Sequence, residues 1–263
     1  MRFHMTIQSV KRALDILSLF SPSRPNLSIA DISRAVGLPK PTVHGLVQTL
    51  LEEGYLSQDK QTRQYTVGLK VVELGSIFAG SLKINQVAGD LVQRMATNTG
   101  QYARIAIWDK DTMLVTRNAF PAVEGLIFQQ VGPRVPAYCS SIGKAVLSAL
   151  DETERVAYLD RTPLQRFTAT TITDRKKLEQ SLSMIPLDGY ATENQEFLMG
   201  MSCIAAPVFD SSLKVMGAIS LSGTPSILDA KCLEAIVPIL VQTSLEISRR
   251  MGYYPEANIL RKG

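Results

Sequence analysis

The chain has 263 residues, 45% of them hydrophobic and 20% charged, which allows one large domain or two ordinary ones with a core that needs no disulfide or metal. Its formal net charge of +4 is too slight to demand or exclude a nucleic-acid partner. Three cysteines without a CxxC pair argue against a disulfide framework or zinc ribbon, and two histidines, His4 and His44, argue against most metal sites and most Ser–His–Asp or Cys–His nucleophiles.

The charge is unevenly placed. Residues 1–83 carry ten Lys/Arg against six Asp/Glu, and the remainder carries eighteen of each. A small basic module joined to a larger neutral one points to a polyanion-facing end. Within that module, Val10, Ala13, Leu14, Leu17 and Phe20 recur at helical spacing, so a first amphipathic helix is expected over Ile7–Phe20, ended by Pro22 and Pro25. Ser28, with Asp31 three residues on, gives a capping box for a second helix with Ile29, Ile32, Ala35 and Val36 inward. Gly37 supplies its C-terminal turn. Pro39 opens a third helix through Glu53, with Val43, Leu46, Val47, Leu50 and Leu51 inward.

Two short helices around a glycine-containing turn give helix-turn-helix spacing, with the third helix as the recognition helix. Its outward face carries Pro41, His44, Gly45 and Gln48, flanked by Lys40 and Thr42. His44 and Gln48 can hydrogen-bond base edges, the Thr42 methyl suits a thymine methyl, and Lys40 suits a phosphate. Two short strands around a polar turn follow, Tyr55–Ser57 and Gln64–Val67. They read as a wing with Lys60 and Arg63 at its tip and Tyr65 among its DNA-facing residues. Gly68–Leu82 is a helix apolar over more than one stripe, which needs burial on several sides. It is expected to pair with a second copy, placing two recognition helices on a two-fold operator.

The rest reads as an α+β domain with a largely antiparallel sheet. Ile84–Thr99 is helical. Tyr102–Trp108 and Met113–Thr116 form a hairpin, and Leu126–Val131 is a further strand. Ser141–Leu150 is a small-residue helix; further helices start at Asp151 and at Asp174, the latter meeting Pro186 and turning at Gly189. Cys203–Phe209 and Val215–Ser222 are apolar strands, and Asp229 caps a long final helix ending near Gly252. The tail from Tyr253 is expected to fray. Three domains follow: 1–67 a winged helix-turn-helix, 68–83 a linker helix, 84–263 a sensor domain.

The strings SVKRALDILSLF, GLPKPTVHGLVQTLLEEGYL, YTVGLKVVELG, GPRVPAYCSSIGKAVLSAL, TITD and GYATENQEFLMGMSCIAAPVFDSSLKVMGAISLSG resemble those of IclR-type bacterial transcriptional regulators, over roughly Val10–Gly252. The resemblance implies a winged helix and a GAF-like effector domain, with dimers or tetramers on palindromic double-stranded operators. It implies a repressor whose effector is a small organic acid or catabolite. By motif, the effector pocket would include Ser140, Ser141, Ile142, Glu193, Cys203, Ser220 and Ser222. Its chemistry is sound: Ser220 and Ser222 share one strand face, and a helix N-terminus at Ser140–Ser141 suits a carboxylate. Three positions depart from the family pattern. Gly45 stands where Arg is frequent, Pro41 where Ser or Thr is usual, and Glu193 where Asp or Ser is usual.

Two alternatives belong to other classes. Ser141 and Lys144 form an S-x-x-K, the nucleophile motif of penicillin-recognising hydrolases, but S-D-N and K-T-G are absent. A ligand-free DNA-packaging or interaction protein would lack a strong preference for one short palindrome. No apolar run approaches the ~18 residues of a membrane span, and the N-terminus has no secretory pattern. A cytoplasmic, reduced protein without cofactor, metal or membrane contact is expected.

Overall fold

The computed structural model describes residues 6–121 and 134–255. The expected strand at Leu126–Val131 and most of the tail lie outside these residues. The chain divides into two compact units, residues 1–78 and 79–263.

The first unit has helices α1 (Gln8–Leu17), α2 (Ile29–Val36) and α3 (Lys40–Glu52), then strands β1 (Leu56–Gln58) and β2 (Tyr65–Val67). Ser28 Oγ accepts the Asp31 N–H and the Asp31 carboxylate accepts the Ser28 N–H, so the capping box is complete. Gly37 closes α2 in the left-handed region at φ +67°. Pro39 is the N-cap of α3, and Pro41 falls in its first turn, where the missing N–H costs little. Ile16, Leu27, Ile32, Val43, Val47 and Leu56 form the core, and Leu27 bridges the backbone of Tyr65 in both directions.

Three readings of apolar faces need correction. Ala35, expected on the inner face of α2, is exposed, and α1 buries only part of the set expected for it. In α1 the buried side is Ile16, with Ala13, Leu17 and Phe20 packed near it, while Ile7, Val10 and Leu14 are exposed. The helix carries two apolar stripes, and the unit's own core takes only one. Helix α4 (Leu69–Ser81) buries no residue. Leu69 is 82% exposed and Ile77 70%. Gly68 precedes it in close approach: a Cβ there would lie 2.2 Å from the Gly54 carbonyl oxygen.

In the second unit, α5 (Lys83–Thr99) leads into a sheet of β3 (Tyr102–Asp109), β4 (Thr112–Ala119), β5 (Arg134–Pro136), β6 (Ala191–Asn194), β7 (Ser202–Phe209) and β8 (Val215–Gly223). The order is β5-β4-β3-β8-β7-β6, every neighbouring pair antiparallel. Both expected hairpins, β3–β4 and β7–β8, are present. The edge strands β5 and β6 are additional to the sequence reading. Helix α5 and the final helix α9 (Ala230–Arg250) cover one face over Ile105, Ile204, Ile219 and Leu221. Helix α6 (Ser141–Ala149) covers the other over Ala106, Ala205 and Ala218, with α7 (Glu152–Arg161) and α8 (Arg175–Asp188) packed against it.

Asp174 caps α8 through the Lys177 N–H; Asp229 holds the N-cap position of α9 without a side-chain cap. Helix α8 does not stop at Pro186 but runs through it to Asp188. The proline sits in the last turn, where few hydrogen bonds remain to be lost. No helix among the described residues is long and apolar enough to cross a membrane.

Candidate functional site

The recognition surface is built by what α3 does not bury. Val43, Val47 and Leu50 face the core, which turns Lys40, Pro41, Thr42, His44, Gly45 and Gln48 to solvent. Gln48 Nε2 donates to Glu52 Oε1 at 2.9 Å, so a base contact by Gln48 must displace an exposed intrahelical bond. A Cβ at Gly45 would meet nothing within 4 Å, so glycine is not required there by space.

The wing is organised by Asp59. Its Oδ1 accepts the N–H groups of Gln61 and Thr62 and the Thr62 hydroxyl, and the Thr62 bonds hold the carboxyl below its ordinary range. Lys60 and Arg63 are exposed at this turn, and neither forms an ion pair with another described residue. Arg63 occupies the left-handed region at φ +57°. Tyr65 departs from the expectation. Its ring is 6% exposed in the unit's core, so its part is packing and not DNA contact.

In the second unit the sheet register brings the expected pocket residues together. Glu193 pairs with Cys203 and Cys203 with Ser222, forming one row across β6, β7 and β8. Ser220 lies two residues along β8 on the same face. Cys203 Sγ and Ser222 Oγ are 3.2 Å apart. Burial pushes the Cys203 thiol up to about 12, with the Glu193 charge adding to the rise, so this sulfur stays a thiol and is poorly suited to act as a nucleophile.

Helix α6 covers this face. Ser140 Oγ accepts the Gly143 N–H at 3.3 Å and donates to the Pro136 carbonyl at 2.7 Å. The Ser141 and Ile142 N–H groups belong to the first turn and have no i−4 carbonyl to take them. Ser140, Ser141 and Ile142 are all buried. A Cβ at Gly143 would lie 2.2 Å from Ala137 Cα, so the glycine admits the backbone packed against this turn.

Glu193 is occupied differently from a free ligand contact. Its Oε1 accepts the N–H groups of Glu196 and Phe197, tying down the turn after β6. Burial raises its pKa above the ordinary carboxylate range, while those two N–H bonds oppose the rise. Lys144 Nζ, in α6, forms a 2.5 Å ion pair with Glu196 Oε1 and donates to the Thr192 carbonyl. No hydrogen bond joins Ser141 to Lys144 among the described residues, and Lys144 is consumed by Glu196. The hydrolase geometry is therefore unsupported.

Three nearby features escaped the sequence reading: Arg104, Asn118 and the Lys144–Glu196 pair. Arg104 stands directly opposite both Ser220 and Asn118 across the sheet. A cavity of about 70 Å³ opens beside Ser222 and Arg104, lined also by Tyr102, Met201 and Thr224. Strand spacing alone does not reveal which strands adjoin, so these residues carried no signal.

A winged helix-turn-helix in one chain with an α+β domain whose sheet bears a buried polar row defines a class: a ligand-controlled, DNA-binding transcriptional regulator. Residues 9–60 match the family profile described as IclR helix-turn-helix domain, and residues 78–249 match Bacterial transcriptional regulator IclR C-terminal. The chain belongs to the IclR family of bacterial transcriptional regulators. It is 34% identical over 247 residues to the HTH-type transcriptional regulator XynR of Escherichia coli (strain K12), covering 94% of this chain and 98% of that one. It is 29% identical over 249 residues to the HTH-type transcriptional repressor AllR of Salmonella paratyphi A, covering 94% and 91%. Among solved structures, the IclR transcriptional regulator from Alicyclobacillus acidocaldarius superposes with TM-score 0.83 at 26% identity, covering 94% of this chain and all of that one.

Proposed function

We propose that this regulator is a repressor that binds a palindromic operator as a dimer or dimer of dimers and releases it on binding a small organic acid. Residues 1–67 grip DNA, 68–83 connect and pair, and 84–263 sense the effector in the cytoplasm. Lys40, Pro41, Thr42, His44 and Gln48 meet the major groove, and Lys60 and Arg63 meet the flanking backbone. The observation that carries the reading is the exposed face of α3, with Lys40, Thr42, His44 and Gln48 turned to solvent, beside two wing cations that form no ion pair with another described residue. The effector contacts are the N–H groups of Ser141 and Ile142, in the first turn of the helix that Ser140 opens, together with Cys203, Ser220 and Ser222. Glu193 acts on them from the edge of the row by holding the turn after β6.

The exposed apolar stripes supply the pairing surface. Ile7, Val10 and Leu14 on α1 and Leu69, Val72 and Ile77 on α4 leave more exposed apolar surface than an isolated unit needs. The relatives' names speak for regulation and not for catalysis, and the occupied Lys144 supports no enzyme chemistry. The test is selection of a duplex from a random library by the full chain, followed by titration. A preference of about 10³ or more over random duplex is expected. Equal affinity for all duplexes would favour DNA packaging instead.

A further inference from the structure

The charge around the pocket is lopsided. The Glu193–Cys203–Ser222 row ends at the β6 edge with a carboxyl group. The neighbouring row runs through Ala205, Ser220, Arg104 and Asn118 and contains no acidic residue. Arg104 is half-buried and makes no hydrogen bond or ion pair with another described residue. A guanidinium withdrawn from water without a counter-ion is costly, and such a group usually acquires an anion. Cross-strand from it, Asn118 Oδ1 is buried and has no hydrogen-bond partner among the described residues, a second unmet demand on the same sheet face. Arg104 needs an acceptor with negative charge, and Asn118 Oδ1 needs a donor.

We propose that Arg104 and Asn118 are the specificity pair of the effector pocket, Arg104 seating a carboxylate and Asn118 Oδ1 accepting from a hydroxyl on the same ligand. The effector is then a hydroxy acid. Asn118, Arg104 and Ser220 stand on three neighbouring strands, so the row spans about 10 Å at roughly 4.8 Å per strand. That length fits an acid of about three to six carbons, with Ser220 and Ser222 left for further hydroxyls. This inference rests on reading the second unit as the effector domain.

The test uses the full chain, thermal melting and calorimetric titration. Its probes are matched acids, lactate against propionate and gluconate against hexanoate, with glycerol as the uncharged control. The hydroxy acids should bind at least tenfold tighter than their partners, and glycerol should not bind. Arg104→Gln should weaken acid binding about 10- to 150-fold, the range for a charged hydrogen bond, and leave the ligand-free melting temperature unchanged or higher. Asn118→Ala should keep acid binding and lose the preference for hydroxyls. Should Arg104→Gln fail to fold, Arg104→Lys decides, with a loss of threefold or more expected from the lost fork geometry. Wild-type affinity in the Arg104 variants, or no acid bound by the wild type, overturns the proposal. Arg104-dependent binding that leaves operator affinity unmoved would instead support the pair and overturn the regulatory reading.

Discussion

Lys144 and Glu196, 52 residues apart in sequence, meet in a buried 2.5 Å ion pair that ties α6 to the turn after β6. The pair holds both walls of the proposed effector pocket at once. Glu196 Oε2 has no hydrogen-bond partner among the described residues, so the carboxylate depends on Lys144 for its compensation. Lys144→Met should destabilise the second unit by about 3–5 kcal/mol, because it strands a buried charge. The double variant Lys144→Met, Glu196→Met should recover most of that. Denaturant unfolding measures both, and a single variant within about 0.5 kcal/mol of wild type would deny the pair its role.

Glu193 sets a pH dependence whose sign is fixed by its raised folded-state pKa, against an ordinary value of 4.5. Between the unfolded and folded pKa the native state holds more protons, so stability falls as pH rises through that window. Glu193→Gln removes the titration and keeps an oxygen for the Glu196 and Phe197 N–H groups. The stability difference, variant minus wild type, should grow as pH rises from about 4.5 and then level off. Unfolding midpoints across pH 4–8 test this, and a difference that shrinks with pH would contradict it.

Gly45 sits mid-helix, exposed, with open space around its missing Cβ. Gly45→Ala should stabilise the first unit by about 0.5–1 kcal/mol, seen as a higher melting temperature. Gly45→Arg should also raise DNA affinity by adding a cation at the recognition face. A lower melting temperature for Gly45→Ala would mean that the backbone there needs glycine for another reason.

If Lys40, Lys60 and Arg63 act as proposed, they supply about six phosphate contacts per dimer, which predicts a log–log salt slope of roughly −5 for operator binding. Replacing both Lys60 and Arg63 with Gln should flatten it to roughly −2. Filter binding or anisotropy at several salt concentrations measures the slope, and a flat wild-type response would remove the wing from the interface.

Leu69 and Ile77 are exposed apolar residues on α4, proposed to be covered by a second copy. Leu69→Asp with Ile77→Asp should shift the protein to monomer in sedimentation and weaken operator binding by at least the loss of one half-site. An unchanged sedimentation coefficient would place the pairing surface elsewhere.

Local chemistry was the legible part of this fold. The Ser28–Asp31 box, the Gly37 cap and both hairpins depend on residues close in sequence. The Val10 and Leu14 stripe misled because a period of 3.6 says which residues align, not whether the unit's own core or a partner covers them. The edge strands β5 and β6 are only three and four residues long, too short for alternation to register. The family pattern supplied Cys203, Ser220 and Ser222. It supplied neither Arg104 nor Asn118, because their meaning lies in a β4-β3-β8 adjacency that only the folded sheet displays.

The most direct test of ligand-controlled DNA binding is an anisotropy titration of the full chain on its selected duplex. It is run with and without the panel acid that gives the largest melting shift. The dissociation constant should rise about 5- to 150-fold at saturating acid, the range of an allosteric coupling of 1–3 kcal/mol. An operator affinity unchanged at saturation would contradict the account.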